Sequence, residues 1–138
     1  KEKLKAQNEA IKQWNEEQKL RLMTFKNSEV YQELLQASKD ETYNMTPIKH
    51  PGKWMTIQEH IDSIYPDFTD RLHKLCPTLS DRDLQVCYLT KLGMSPSDIS
   101  RVLKQSRQAI TNIRKRIMQK IEQITPKSSN FDHFIEDF

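Results

Sequence analysis

The chain has 138 residues and a formal net charge of +3, enough for one small domain with accessory helices but too short for a barrel or a doubly wound sheet enzyme. Apolar residues make up 36% and the mean hydropathy is −0.82, which indicates small cores and much solvated helix surface. Only two glycines occur, so tight hairpins and glycine-rich phosphate loops are disfavoured and an all-α fold is expected.

The first segment, Lys1–Lys26, is polar and contains neither glycine nor proline, so it predicts one helix of roughly 40 Å. Ser28–Lys39 is expected to continue it, which makes residues 1–39 a long helical segment. Polar Gln18 interrupts an apolar stripe with seven-residue spacing, formed by Leu4, Ile11 and Phe25. This stripe predicts a weak coiled coil and a homodimer, with packing on the helix's own domain as the alternative.

The next two segments read as a linker and a helical scaffold. Residues 40–53 contain Pro47, Pro51 and Gly52 and are expected to form a loop. Residues 54–78 are expected to be helical, with a capping box from Thr56 to Glu59 opening the first helix. No chemistry is assigned to this region.

Residues 79–124 carry the clearest helix signals. Ser80 is expected to cap one helix, Ser95 with the following proline a second, and Ser106 a third. Gly93 suits a left-handed end to the first of these helices. In the third helix a core stripe repeats every three or four residues, at Ile110, Ile113, Ile117, Ile121 and Ile124.

The net positive charge is concentrated in and just before this third helix. Residues 98–124 contain seven basic and two acidic side chains, a net charge of +5, whereas residues 1–97 are neutral. Such a segment suits a polyanion, although an ordinary solvated helix face would have the same composition. The isoleucine stripe leaves the following side chains on outward faces: Arg107, Gln108, Thr111, Asn112, Arg114 and Lys115.

Two short helices followed by an amphipathic basic helix form a helix-turn-helix pattern, whose third helix can lie in a DNA major groove. Here the sequence resembles the LuxR/GerE-type DNA-binding domain over about 45 residues. The opening of that signature is matched by Leu79, Ser80, Arg82, Val86, Cys87, Leu89 and Gly93, with Asp83 where the family usually has Glu. The remainder is matched by Asp98, Ile99, Leu103, Ser106, Ile110, Ile117 and Ile121.

The resemblance implies a transcriptional regulator that binds double-stranded DNA as a homodimer, through a recognition helix at about Ser106–Lys120. It implies base contacts from Thr111, Asn112 and Lys115. It also implies phosphate contacts from Ser106, Arg107, Gln108, Arg114 and Arg116. The C-terminal region of sigma factors shares much of this pattern and is an alternative within the same class, and a helical protein–protein interaction or signalling module is an alternative from another class.

The order of segments is also similar to that of Bacteroidetes regulators in which a sensor and a membrane helix precede a cytoplasmic coiled coil and this type of domain. That likeness implies a cytoplasmic location, with an upstream sensor or membrane region in the full-length protein. The four histidines and two cysteines are scattered, so no metal site, cofactor, catalytic centre or small-molecule substrate is expected. The two thiols are expected to be reduced and partly buried.

The last segment, residues 125–138, is acidic and aromatic. Phe131, Phe134, Ile135 and Phe138 follow a helical spacing. Its charge is opposite to that of the third helix, so three positions are open to it: its own domain, a partner protomer, or the DNA-binding face as a shield.

Overall fold

The computed structural model describes residues 2–123 and 130–138, and every regular element in these ranges is a helix, which confirms the all-α class. The bounds are α1 Glu2–Lys26, α2 Glu29–Lys39, α3 Pro51–Ile64, α4 Phe68–Leu75, α5 Asp81–Lys91, α6 Pro96–Leu103, α7 Arg107–Glu122 and α8 Phe131–Asp137. Ile124, the last predicted member of the isoleucine stripe, and the start of the tail lie outside the described residues. Among the described helices, none combines the length and the apolar character that crossing a bilayer requires.

Helix α1 is anchored only at its C-terminal end. Phe25 is fully buried, and its ring lies 4.9 Å from that of His60 on α3. Gln18 Nε2 and Arg21 Nη1 donate hydrogen bonds to the carbonyls of Ile64 and Ser63, at 2.8 and 2.9 Å. The residues from Glu2 to Glu17 are all exposed, so this half of the helix extends away from the remaining helices.

Three sequence-based boundaries were wrong. The predicted helical continuity over residues 1–39 is broken at Ser28, which has an extended backbone and caps α2 by accepting a bond from the Tyr31 amide. The loop expected over 40–53 ends earlier, because Pro51 occupies the first turn of α3, where a missing amide hydrogen costs nothing. Thr56 therefore lies inside α3 and donates its hydroxyl to the Gly52 carbonyl at 3.1 Å.

The centre of the core is an aromatic cluster around Phe68, which has no exposed surface. Its ring lies 6.0 Å from that of Tyr88 on α5 and 5.7 Å, edge to face, from that of Phe138. Tyr65, at the end of α3, contributes a third ring at 6.4 Å. The cluster thus joins α3, α4, α5 and the C-terminal segment.

Helix α8 docks on the chain's own α5 and α7, the first of the three positions considered for the tail. Phe131 and Ile135 are buried. Lys91 Nζ donates to the carbonyls of Ile135 and Glu136, at 3.1 and 2.9 Å, and so satisfies the C-terminal end of this helix. Arg71 Nη1 donates to the Phe138 carbonyl at 2.5 Å.

Cys76 and Cys87 are free and buried, in line with the reduced thiols expected from the sequence. Burial raises the pKa of the Cys87 thiol, which disfavours the reactive thiolate.

A buried polar chain links α3, α4 and α5. Thr69 Oγ1 donates to Asp62 Oδ1 at 2.8 Å, so the Tyr88 hydroxyl, 2.7 Å from Thr69 Oγ1, is the donor in its own contact. Burial raises the pKa of Tyr88 from 10.0 to about 12, because the phenolate would be poorly solvated there.

This pKa shift predicts alkaline sensitivity. Between pH 10 and about 12 the folded state keeps a proton that the unfolded state releases, so the free energy of unfolding falls as pH rises through that window. Burial lowers the pKa of Lys91, which makes the free energy of unfolding rise with pH in an overlapping range. The contribution of Tyr88 is therefore obtained by comparing Tyr88→Phe with the unchanged protein. Urea titrations from pH 9 to 12 should show a shallower decline for Tyr88→Phe than for the unchanged protein. Parallel declines would contradict this assignment.

Candidate nucleic-acid interface

The three helices α5, α6 and α7 each begin at a capping serine, as their sequences predict. Ser80 accepts from the Asp83 amide at 3.1 Å, while Asp83 Oδ2 accepts from the Ser80 amide at 3.0 Å. Ser95 and Ser106 accept from amides three residues further on, at 3.2 and 3.0 Å. Because each cap satisfies amides that the helix leaves unpaired, the start of each helix is encoded locally.

The turn between α6 and α7 is short and has a strained first residue. Lys104 follows the last residue of α6 with a φ of +57°, in the left-handed region that favours glycine. The Gln105 amide donates to the Ser100 carbonyl at 3.0 Å, and Lys104 Nζ donates to the Glu41 carbonyl. This turn sets the direction in which α7 leaves α6.

The inner face of α7 is apolar along its whole length. Ile110, Ile117 and Ile121 have no exposed surface, and Ile113 is only 6% exposed. These four predicted core positions are confirmed. Met118, which the isoleucine pattern did not include, is also buried.

The outer face of α7 carries a row of polar side chains at spacings of four, three and four residues. We call this the outer row, and all four members are exposed: Gln108, Asn112, Lys115 and Gln119. Gln108 Nε2 donates to Asn112 Oδ1 at 3.0 Å. Lys115 takes part in no ion pair among the described residues, so its ammonium is available to a ligand.

The other predicted base-contacting residue, Thr111, lies at the side of this row, three residues after Gln108 and four before Lys115. It is half-buried, and its hydroxyl donates to the Arg107 carbonyl at 3.0 Å. Its hydroxyl hydrogen is therefore already used by the helix backbone.

Of the residues predicted to contact phosphate, two lie at the N-terminal end of α7. Ser106 is exposed, and its hydroxyl oxygen serves as the helix cap. Arg107 is exposed and donates from Nη1 to Ser97 Oγ at the start of α6. Gln108, predicted in the same group, belongs to the outer row instead, so the structure places it beside Asn112.

Arg114 does not face outward as predicted. Its Nη2 forms a 2.8 Å ion pair with Asp132, its guanidinium carbon lies 5.0 Å from the centre of the Phe131 ring, and its side chain is 17% exposed. Its position in α7 is one residue after Ile113 and three before Ile117, at the edge of the core stripe, where α8 reaches it. In this arrangement Arg114 binds the tail.

Arg116 has an internal partner but keeps an exposed surface. Its Nη2 lies 2.6 Å from Oδ1 of Asp83, whose side chain is 1% exposed, whereas the Arg116 side chain is 51% exposed. The pair connects the first turn of α5 to the middle of α7. Because an unpaired buried carboxylate is costly, this guanidinium has a structural role as well as an exposed edge.

Two exposed cations near the turn were missed by the sequence analysis. Lys104 occupies the turn itself, and Arg82 on α5 donates from Nη1 to Gln105 Oε1 at 3.5 Å. The sequence places both next to predicted helix ends, but only the folded arrangement brings Arg82 close to the turn before α7.

The docked α8 does not cover the outer row, because Gln108, Asn112 and Lys115 all remain exposed. Helix α8 therefore does not shield these side chains, and among the residues predicted to contact DNA it engages Arg114. In the described ranges, no group of three or more His, Cys, Asp or Glu side chains is arranged to hold a metal ion.

Comparisons with protein-family models, with curated proteins and with solved structures gave no match. The resemblance to the LuxR/GerE-type domain therefore stays a prediction from the residues that carry it.

Proposed function

We propose that this chain is a sequence-specific regulator that binds double-stranded DNA through α7, in a helix-turn-helix formed by α6 and α7. The observation that carries the proposal is the division of α7 into a buried isoleucine face and an exposed outer row. Because the isoleucine face holds α7 in the core, the amide and ammonium groups of its outer row can contact base edges without any unfolding of the helix. Those groups are the ones that read bases in the major groove.

The dimensions and charge of α7 suit this role. Its 16 residues span about 24 Å, and a helix with its side chains is about as wide as the major groove. The helix carries five basic residues and one acidic residue. Arg107 and the exposed edge of Arg116 flank the outer row, where they would contact the phosphates on either side of the groove.

The direct test is DNA binding by matched lysine variants. Lys115→Ala should weaken binding to a duplex selected from a random pool and flatten sequence preference, by about 1–3 kcal/mol if the ammonium contacts a base. The control is Lys12→Ala, which removes the same charge from the exposed half of α1. Fluorescence anisotropy at several salt concentrations measures both. Equal and small losses for the two variants would remove α7 from the interface.

A second proposed role belongs to α1, and a specific observation favours it. Leu4, Ile11 and Trp14 are 63%, 59% and 50% exposed. Large apolar side chains exposed together on one helix face mark an interaction site. These three side chains continue the same face of α1 that Phe25 uses to pack within the chain. We propose that this face pairs with α1 of a second copy, so that two α7 helices reach half-sites about one DNA turn apart.

The proposed pairing of two α1 helices can be tested by placing a negative charge on either face of α1. Ile11→Asp places a carboxylate in the proposed interface and should shift the protein toward monomer in sedimentation velocity experiments. Gln13→Asp places the same charge on the opposite face of α1 and should leave the dimer intact. A species of unchanged mass for Ile11→Asp would exclude pairing through this stripe.

A further inference from the structure

Two amide side chains of the outer row of α7 are joined by a hydrogen bond. Gln108 and Asn112 lie one helical turn apart, and both are exposed. Gln108 Nε2 donates to Asn112 Oδ1 at 3.0 Å, which favours the orientation of the Asn112 amide in which Oδ1 faces Gln108. An exposed asparagine without such a partner samples both orientations.

The hydrogen-bonding groups of Asn112 that this bond does not use are complementary to adenine. Asn112 Oδ1 has a second lone pair, and its Nδ2 carries two hydrogens with no partner among the described residues. In the major groove adenine offers the N7 acceptor beside the N6 donor, and an asparagine amide matches this pair with two hydrogen bonds.

The neighbouring cationic and hydroxyl side chains cannot make that contact. Lys115 and Arg107 carry donors and no acceptor, so neither can accept the N6 hydrogen of adenine. The Thr111 hydroxyl already donates to the Arg107 carbonyl. Gln119 belongs to the outer row but lies seven residues beyond Asn112, about 10 Å further along the helix.

We infer that Asn112 reads an adenine in the target site, and that Gln108 is a positioning residue that holds the Asn112 amide in the reading orientation. This inference rests on the proposed DNA-binding function and adds to it one base and the residue pair responsible. Gln108 thereby acts through Asn112 and not through a phosphate.

The test is selection from random duplexes with the full chain, followed by affinity measurements on the selected site and on a copy with that adenine replaced by guanine. The unchanged protein should discriminate between them by roughly 5- to 150-fold, the range of one good bidentate contact. Asn112→Ala should abolish the discrimination at that position alone.

Two variants of Gln108 isolate the positioning role. Gln108→Ala should reduce adenine discrimination by roughly 2- to 10-fold, the range for one hydrogen bond. Gln108→Lys keeps a donor for Asn112 Oδ1 and should restore the discrimination. Gln13→Ala removes an exposed amide from α1, away from α7, and should leave that discrimination unaffected. Circular dichroism confirms that each variant keeps its helices.

The outcomes separate this inference from the function on which it rests. No sequence-selective binding by the unchanged protein would overturn both. Selective binding in which Asn112→Ala keeps the adenine preference would overturn the inference and leave the DNA-binding function standing. An adenine preference that is lost in Asn112→Ala but intact in Gln108→Ala would overturn the positioning role.

Discussion

Replacing Phe68 with alanine should lower the free energy of unfolding by about 3–5 kcal/mol, the range for emptying a buried aromatic site. Phe68 has no exposed surface and contacts rings from three other parts of the chain. Helix α4, which carries it, has only eight residues and cannot close the space by moving alone. The cavity would therefore be shared by α3, α5 and the C-terminal segment.

Urea denaturation followed by circular dichroism measures this loss. Met55→Ala, which truncates a side chain that is 63% exposed on α3, is the control and should change stability by no more than about 0.5 kcal/mol. A double-mutant cycle with Phe138→Ala should give a coupling of about 0.5–1.5 kcal/mol for the edge-to-face contact. Equal stability losses for Phe68→Ala and Met55→Ala would show that the aromatic cluster is not the centre of the core.

The second large effect is expected at Ile117, in the middle of the inner face of α7. Ile117→Ala should cost about 2–5 kcal/mol, because this fully buried side chain leaves a cavity in the packing of α7 against the helices beneath it. Since α7 is held by this face, the proposed DNA binding should weaken only through the fraction of protein that is unfolded. At a temperature where the variant is fully folded, its affinity should match that of the unchanged protein.

Gln119→Ala is the matched control, because it truncates an exposed residue of the same helix and alanine is a good helix former. It should alter thermal stability by only a few tenths of a kcal/mol. Thermal melts and anisotropy titrations on the same samples check both parts. A stability loss for Gln119→Ala as large as that for Ile117→Ala would contradict the assignment of the two faces.

The helix starts and the buried face of α7 could be predicted from the sequence because their determinants are local. A capping serine together with the amide three residues later lies within one turn, so the starts of α5, α6 and α7 follow directly from Ser80, Ser95 and Ser106. The isoleucine periodicity likewise identifies the inner face of α7, because burial of one stripe needs no knowledge of the partner helix.

Side-chain partners could not be predicted where a segment distant in the sequence competes for the side chain. The sequence does not reveal the partners of Arg114 and Arg116, because Asp132 and Asp83 lie 18 and 33 residues away. Thr56 has the signature of a helix cap, but Pro51 starts the helix a turn earlier. No local pattern reports such competition, because it is decided by how the helices pack.

The contact between Asp83 and Arg116 restricts how this surface could change over time. Replacing Arg116 would leave the Asp83 carboxylate buried without its cation, so the stability of the fold constrains this position. The fold places no such constraint on the four residues of the outer row, because replacing exposed side chains of this kind usually changes stability by no more than about 0.5 kcal/mol. Under the proposed function, a change of DNA target could therefore proceed by substitutions among these four positions while the helices beneath them stay as they are.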